Sequence, residues 1–168
     1  MEKIKVIIND NQKDIKIPTG LRMIVRRACT AVLRSEHFKG SVKIGVTFVN
    51  NDEIKELNKK YRKKDMPTDV LSFQTMEKGK YPIEPDTGVQ LIGDVVISIE
   101  KACEQAKKYG HTLQQEVSFL TTHSVLHLLG YEHENVGVDR IKMREKEEVI
   151  MRELGYFGAS GYDMYEGN

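Results

Sequence analysis

His123-Ser124-Val125-Leu126-His127-Leu128-Leu129-Gly130-Tyr131-Glu132-His133 contains three of the chain's five histidines. His123 and His127 are four residues apart, so on a helix they share one face, one turn apart. Two imidazoles placed this way can reach one metal ion. Gly130 follows the last strongly helical residue, and glycine reaches a left-handed backbone at low cost, so it commonly ends helices. Beyond that stop the chain can turn back and point His133 at the same ion. Three neutral imidazoles leave a fourth tetrahedral position open, the feature that separates catalytic from structural zinc sites. The expectation is one Zn2+ per chain, held by His123, His127 and His133.

The same spacing occurs in zinc proteases that carry H-E-x-x-H-x-x-G-x-x-H, where the glutamate is the general base. Here Ser124 occupies the glutamate's position. The cage is present and the protease's base is missing, so a peptidase of the zincin type is the alternative and not the first reading.

Working outward, residues 113–129 read as the central helix, because Leu113, Val117, Leu120, Val125 and Leu128 give it enough apolar surface for burial on most sides. Helices are also predicted from Ile99 to Tyr109 and from Val138 to Leu154. Toward the N-terminus, Lys3 to Asn9 alternates around Ile4, Val6 and Ile8 and reads as a strand. Leu21 to Leu33 keeps helical spacing, with Thr19 as a candidate cap. Val42 to Val49 alternates again, and Asn50 or Asn51 can cap a helix reaching about Tyr61. Val70 to Phe73 reads as a short strand. Glu77 to Val89, with two glycines and two prolines, reads as a surface excursion. Leu91 to Ile99 contains the apolar run Val95-Val96-Ile97, which predicts a central strand covered on both faces. The sum is an α+β fold: one domain with a mixed four-stranded sheet and about five helices. Residues 1–155 form the expected metallohydrolase domain, and 156–168 a loosely held tail.

A second constellation lies between the second helix and the third strand. Lys55, Lys59, Lys60, Arg62, Lys63 and Lys64 make it the most basic stretch of a chain whose net charge is only +1. Cations at a helix C-terminus stabilise the dipole by about 0.3–1 kcal/mol, which accounts for some of them. The run as a whole suits phosphate recognition, and Arg62 can grip a phosphodiester with two parallel hydrogen bonds. Thr68 is placed to brace the following turn. Asp94, inside an apolar strand, is either a buried carboxylate that would need a partner, such as a histidine or arginine near the metal, or an aspartate exposed at the sheet edge.

Hydrophobic residues are 39% and charged residues 30% of 168, the composition of a folded domain and not of a disordered chain. No apolar run approaches the roughly 20 residues of a membrane span. The N-terminal residues lack a signal peptide's apolar core and cleavage site, so the expected location is the cytoplasm, with no membrane partner. Cys29 and Cys103 are far apart in predicted helices and read as thiols, not as a disulfide.

Taken together, the histidine spacing, Tyr61-Arg62, Thr68-Asp69-Val70-Leu71-Ser72-Phe73 and Gly93-Asp94-Val95, in this order, resemble the YbeY family of bacterial metal-dependent endoribonucleases, also described as rRNA maturation factors. The resemblance spans roughly Lys3 to Leu154. It implies a zincin-like fold, zinc on His123, His127 and His133, and single-strand-specific cleavage of RNA in rRNA maturation and ribosome quality control. It implies Arg62 at the catalytic cleft. Lys59 and Lys63 are the companion candidates for substrate binding. Single-stranded or ribosomal RNA, and the ribosome or its proteins, are the implied partners. The chain departs from the family pattern at Ser124, usually glycine, and at Glu132, usually aspartate; neither position is a ligand. Asp69 and Glu132 are candidates for the general base. Besides the peptidase, the remaining alternative is a non-catalytic ribosome-associated binding factor with structural zinc.

Overall fold

The computed structural model describes residues 2–131 and 138–157. In them the chain folds as β1 (Ile4–Asp10), α1 (Leu21–Ser35), β2 (Val42–Val49), α2 (Asn51–Arg62), β3 (Val70–Gln74), β4 (Gln90–Ser98), α3 (Ile99–Tyr109), α4 (Leu113–Leu128) and α5 (Val138–Glu153). The sheet order is β1-β2-β4-β3. β1, β2 and β4 run parallel, and β3 closes the edge antiparallel to β4. This is the expected α+β domain with a mixed four-stranded sheet. Most of the expected tail, from residue 158 on, lies outside the described residues.

Period-two alternation decides which face each strand residue meets. Val42, Ile44, Val46 and Phe48 of β2 join Val95 and Ile97 of β4 in the main core, beneath α1, α3, α4 and α5. Val49 and Val96 point the other way, to Ile54 of α2 and Leu71 of β3. The central strand β4 is therefore covered on both faces, but only over its C-terminal half. Asp94 lies beyond the reach of α2, is exposed, and rests against Gly45 of β2, where an added Cβ would stand 2.3 Å from its Oδ1. Of the two readings of Asp94, the structure has the exposed one.

A bulge in β4 sets where the central helix meets the sheet. Lys43 pairs with Leu91 but Ile44 with Gly93, so Ile92 is an extra residue. The extra residue lets Ile92 and Val95 both face the core. Gly93 has φ 147°. A Cβ there would stand 2.4 Å from the Phe73 carbonyl oxygen and 2.8 Å from Leu128 Cδ2. Only glycine lets β3 and the end of α4 close over this point.

Helix starts follow local chemistry. The Asn50 side chain accepts from the Glu53 N–H, capping α2. The expected Thr19 cap on α1 is not made. Gly20, left-handed at φ 91°, precedes the helix, and the Leu21 N–H is taken by the Pro18 carbonyl at 3.1 Å. Both cysteines are free thiols, and burial pushes that of Cys29 up to about 12. The segment between β3 and β4 is an excursion as expected, yet it is tied down. The Tyr81 hydroxyl donates to the Leu128 carbonyl at 2.6 Å.

Candidate active site

α4 is the buried helix its composition predicts. Leu120 is 1% exposed. Between Glu116 and Leu128 only His123 and His127 are not buried. Thr112 caps the N-terminus by accepting from the Gln115 N–H. At the other end Gly130 takes φ 106°. The Gly130 N–H reaches the His127 carbonyl and the Tyr131 N–H the Leu126 carbonyl, the paired bonds of a Schellman stop. The Leu128 carbonyl, left over by the helix, accepts from Gln74 of β3 as well as from Tyr81. The helix end that bears the histidines is thus fixed to the sheet edge.

The two imidazoles meet through Nε2, 3.1 Å apart, with the rings nearly perpendicular. Each Nδ1 has an acceptor. His123 Nδ1 donates to Glu147 Oε1 at 3.0 Å, and His127 Nδ1 donates to the Tyr131 carbonyl at 2.5 Å. A carbonyl only accepts, so the His127 Nδ1 carries the proton and Nε2 the lone pair in the neutral ring. With His123 held the same way and neutral, two lone pairs face each other, and either a proton on His123 Nε2 or a cation between the rings makes the approach favourable. Two nitrogens bound tetrahedrally to zinc at about 2.0–2.1 Å stand roughly 3.3 Å apart. The observed separation fits that requirement closely. His133 and Glu132 lie outside the described residues. Among the described residues, no group of three metal-ligating side chains converges.

Around His123, burial pushes the imidazole's pKa down, but the hydrogen bond and charge of Glu147, with the charge of Asp69, raise it above the ordinary value. Glu147 was not found in the sequence, although a signal exists. It lies on the same stripe of α5 as Met143, Ile150 and Met151, and is 9% exposed. A carboxylate on the apolar stripe of an amphipathic helix needs a partner, and here it is a histidine. Tyr131, whose carbonyl holds His127, is itself held. Its hydroxyl donates to Glu36 Oε1, and Lys146 Nζ meets Glu36 Oε2 at 2.8 Å.

Asp69 stands just before β3. Thr68 and Gln105 reach its two carboxylate oxygens at 3.4 Å. Gln105 also donates to the buried Glu116, which pairs with His111. Arg62 is the last residue of α2 and is exposed. Its Nη2 donates to the Ser72 carbonyl at 2.7 Å, and the guanidinium lies over the Phe73 ring, 5.9 Å from its centroid. β3 is the strut between the two constellations. Ser72 and Phe73 anchor Arg62, and Gln74 holds α4 one residue past His127. Lys59 and Lys63 are exposed at the same end of α2, and Lys63 caps that helix with φ 58°. Among the described residues no ion pair neutralises Lys59, Arg62 or Lys63.

The fold and site define a single-domain α+β protein whose central helix presents two imidazoles with facing Nε2 atoms, joined through β3 to a basic helix end. The chain belongs to the endoribonuclease YbeY family, whose model matches residues 7–155. The Endoribonuclease YbeY of Caldanaerobacter subterraneus subsp. tengcongensis is 46% identical over 154 residues, covering 89% of this chain and 97% of that one. That of Thermoanaerobacter pseudethanolicus is 47% identical over 154 residues, covering 88% and 96%. Among solved structures, the solution structure of TM1509 from Thermotoga maritima aligns with a TM-score of 0.55 at 26% identity, over 97% of this chain and 99% of that one. Among the described residues no helix is long and apolar enough to cross a membrane.

Proposed function

We propose that the protein is a zinc-dependent endoribonuclease that cuts single-stranded RNA, with His123, His127 and His133 as zinc ligands and Arg62 as the group that grips the scissile phosphate. The observation that carries this reading is the pair of Nε2 atoms 3.1 Å apart, each ring oriented through Nδ1, in a chain of an endoribonuclease family. His133 follows two residues after Tyr131, whose carbonyl and hydroxyl are both anchored. Zinc held there would supply Lewis acidity toward a phosphoryl oxygen and toward water. The protein's own contribution is orientation and charge. Glu147 and the Tyr131 carbonyl fix the ring planes and tautomers. Arg62 spends one N–H on Ser72, and that anchor sets the guanidinium in place with further donors for a phosphate. Lys59 and Lys63 add positive charge that draws in and holds RNA. Asp69, close enough for its charge to act on His123, is the candidate base within the described residues. The physiological setting that the family resemblance supplies is rRNA maturation and ribosome quality control in the cytoplasm, on or near the ribosome.

The peptidase reading lacks its base. Ser124 is fully buried, and its hydroxyl has no hydrogen-bond partner among the described residues. The deciding experiment is metal analysis of the purified protein together with incubation on single-stranded RNA, with and without a chelator. The expected result is one zinc per chain, and cleavage that stops with chelation and returns with zinc. A zinc-loaded protein that leaves RNA intact and digests a casein-like substrate would restore the peptidase.

Glu147→Gln should lower zinc affinity by about 10–100-fold, the usual loss when the partner of a ligating histidine is removed. Competition titration against a chromophoric chelator reads this directly. Unchanged affinity would show that His123 is oriented without Glu147.

A further inference from the structure

Half of the chain's arginines stand on a helix that the site above does not use. α1 carries Arg22, Arg26, Arg27 and Arg34, four of the eight in the sequence, the others being Arg62, Arg140, Arg144 and Arg152. It carries no aspartate or glutamate. Its buried stripe, Leu21, Val25, Ala28, Cys29, Val32 and Leu33, takes the core side, so Arg22, Arg26 and Arg27 are exposed. Solvated helices usually set acids three or four residues from their bases. Here there are none, and among the described residues no ion pair neutralises any of the four arginines.

Three of them share a groove. Arg26, Arg27 and Arg34 line a cavity of about 360 Å³ between α1 and the end of α5, with Met23, Glu153 and Leu154. Three guanidiniums face one carboxylate, so the groove has an excess of positive charge. Arg26 and Arg34 are eight residues apart, about 12 Å along the helix axis. That length suits an extended polyanion better than a single phosphate. Arginine is the side chain whose planar fork matches phosphate oxygens. Met23, 64% exposed, adds an apolar surface for the sugar or base between phosphates. α5 ties this groove to the imidazole pair. Glu147 holds His123, and Glu153 lies six residues on, about 9 Å of helix rise away.

We propose that the groove between α1 and α5 is a second RNA-binding surface, which takes the phosphate backbone of the substrate away from the scissile bond; this rests on the endoribonuclease reading. It makes the enzyme prefer long single strands to short ones.

The test uses the full zinc-loaded chain and two double variants, R26Q/R27Q and R26K/R27K. Binding to a short single-stranded oligonucleotide, and to one several times longer, is followed by fluorescence anisotropy across a salt series. For R26Q/R27Q, affinity for the long RNA should fall about tenfold. The slope of log affinity against log salt should shrink by about 1.4, two contacts at roughly 0.7 each for single strands. Binding and cleavage of the short RNA should not change. R26K/R27K should keep the salt slope and recover part of the affinity. Equal zinc content in the three proteins shows that the fold is kept. An unchanged affinity and slope for long RNA in R26Q/R27Q overturns the proposal and leaves these arginines to an acidic protein partner. If the wild type cleaves neither RNA, the endoribonuclease reading fails, while a reduced slope in R26Q/R27Q still supports the groove.

Discussion

Replacing His127 with alanine abolishes zinc binding: the purified variant should hold less than a tenth of the wild-type metal. The reason is geometric. His127 supplies one of two nitrogens that stand 3.1 Å apart, and its ring is fixed by the Tyr131 carbonyl. Without it, His123 and His133 remain, and two imidazoles do not make a catalytic zinc site. Stability should fall as well, because a ligand that binds only the native state contributes about 4 kcal/mol when present at a thousand times its dissociation constant. Thermal unfolding with added zinc should therefore separate wild type from variant widely. With chelator the two curves should lie close together, since the half-buried ring adds little beyond its metal. His133→Ala should reproduce the metal loss if that residue completes the set. Full zinc occupancy in His127→Ala would remove the whole assignment.

The sequence exposed these features unequally. α4 was legible because burial on most sides, two histidines one turn apart and a terminating glycine are all local signals, and the structure reproduces each. The strands were legible because alternation in β2 and the apolar run in β4 report which faces are covered. Asp94 stayed open between buried and exposed because strand burial depends on what lies above the sheet, where Val96 packs with Ile54 of α2 and Asp94 is exposed. Thr19 was misread because a backbone turn through Pro18 and Gly20 closes the start of α1. Glu147 was missed because its partner lies 24 residues away, on another helix. The anchoring of Arg62 by Ser72 depends on how α2 packs against β3, which no local pattern encodes. α1's arginines were visible in the sequence, but their common groove needs the end of α5 beside them.

Arg62→Ala separates the nuclease from its rivals. Zinc content and thermal stability should match the wild type, because the side chain is exposed and its contacts among the described residues are one hydrogen bond to the Ser72 carbonyl and the face of Phe73. That carbonyl is left to water at little cost. RNA cleavage should fall about 10²–10³-fold, or about 2.7–4 kcal/mol, the loss typical of one removed transition-state donor. The loss should appear mainly in kcat, since a preset guanidinium serves the charge that builds up during the reaction more than the resting phosphate. Arg62→Lys should recover only part of the rate, because an ammonium cannot both hold Ser72 and present a planar pair of donors. Lys59→Ala and Lys63→Ala should behave differently. Each should weaken RNA binding modestly and lower its salt dependence by about one phosphate contact, leaving kcat near the wild-type value. Wild-type cleavage by Arg62→Ala would place Arg62 with the lysines, as one more positive charge at the end of α2.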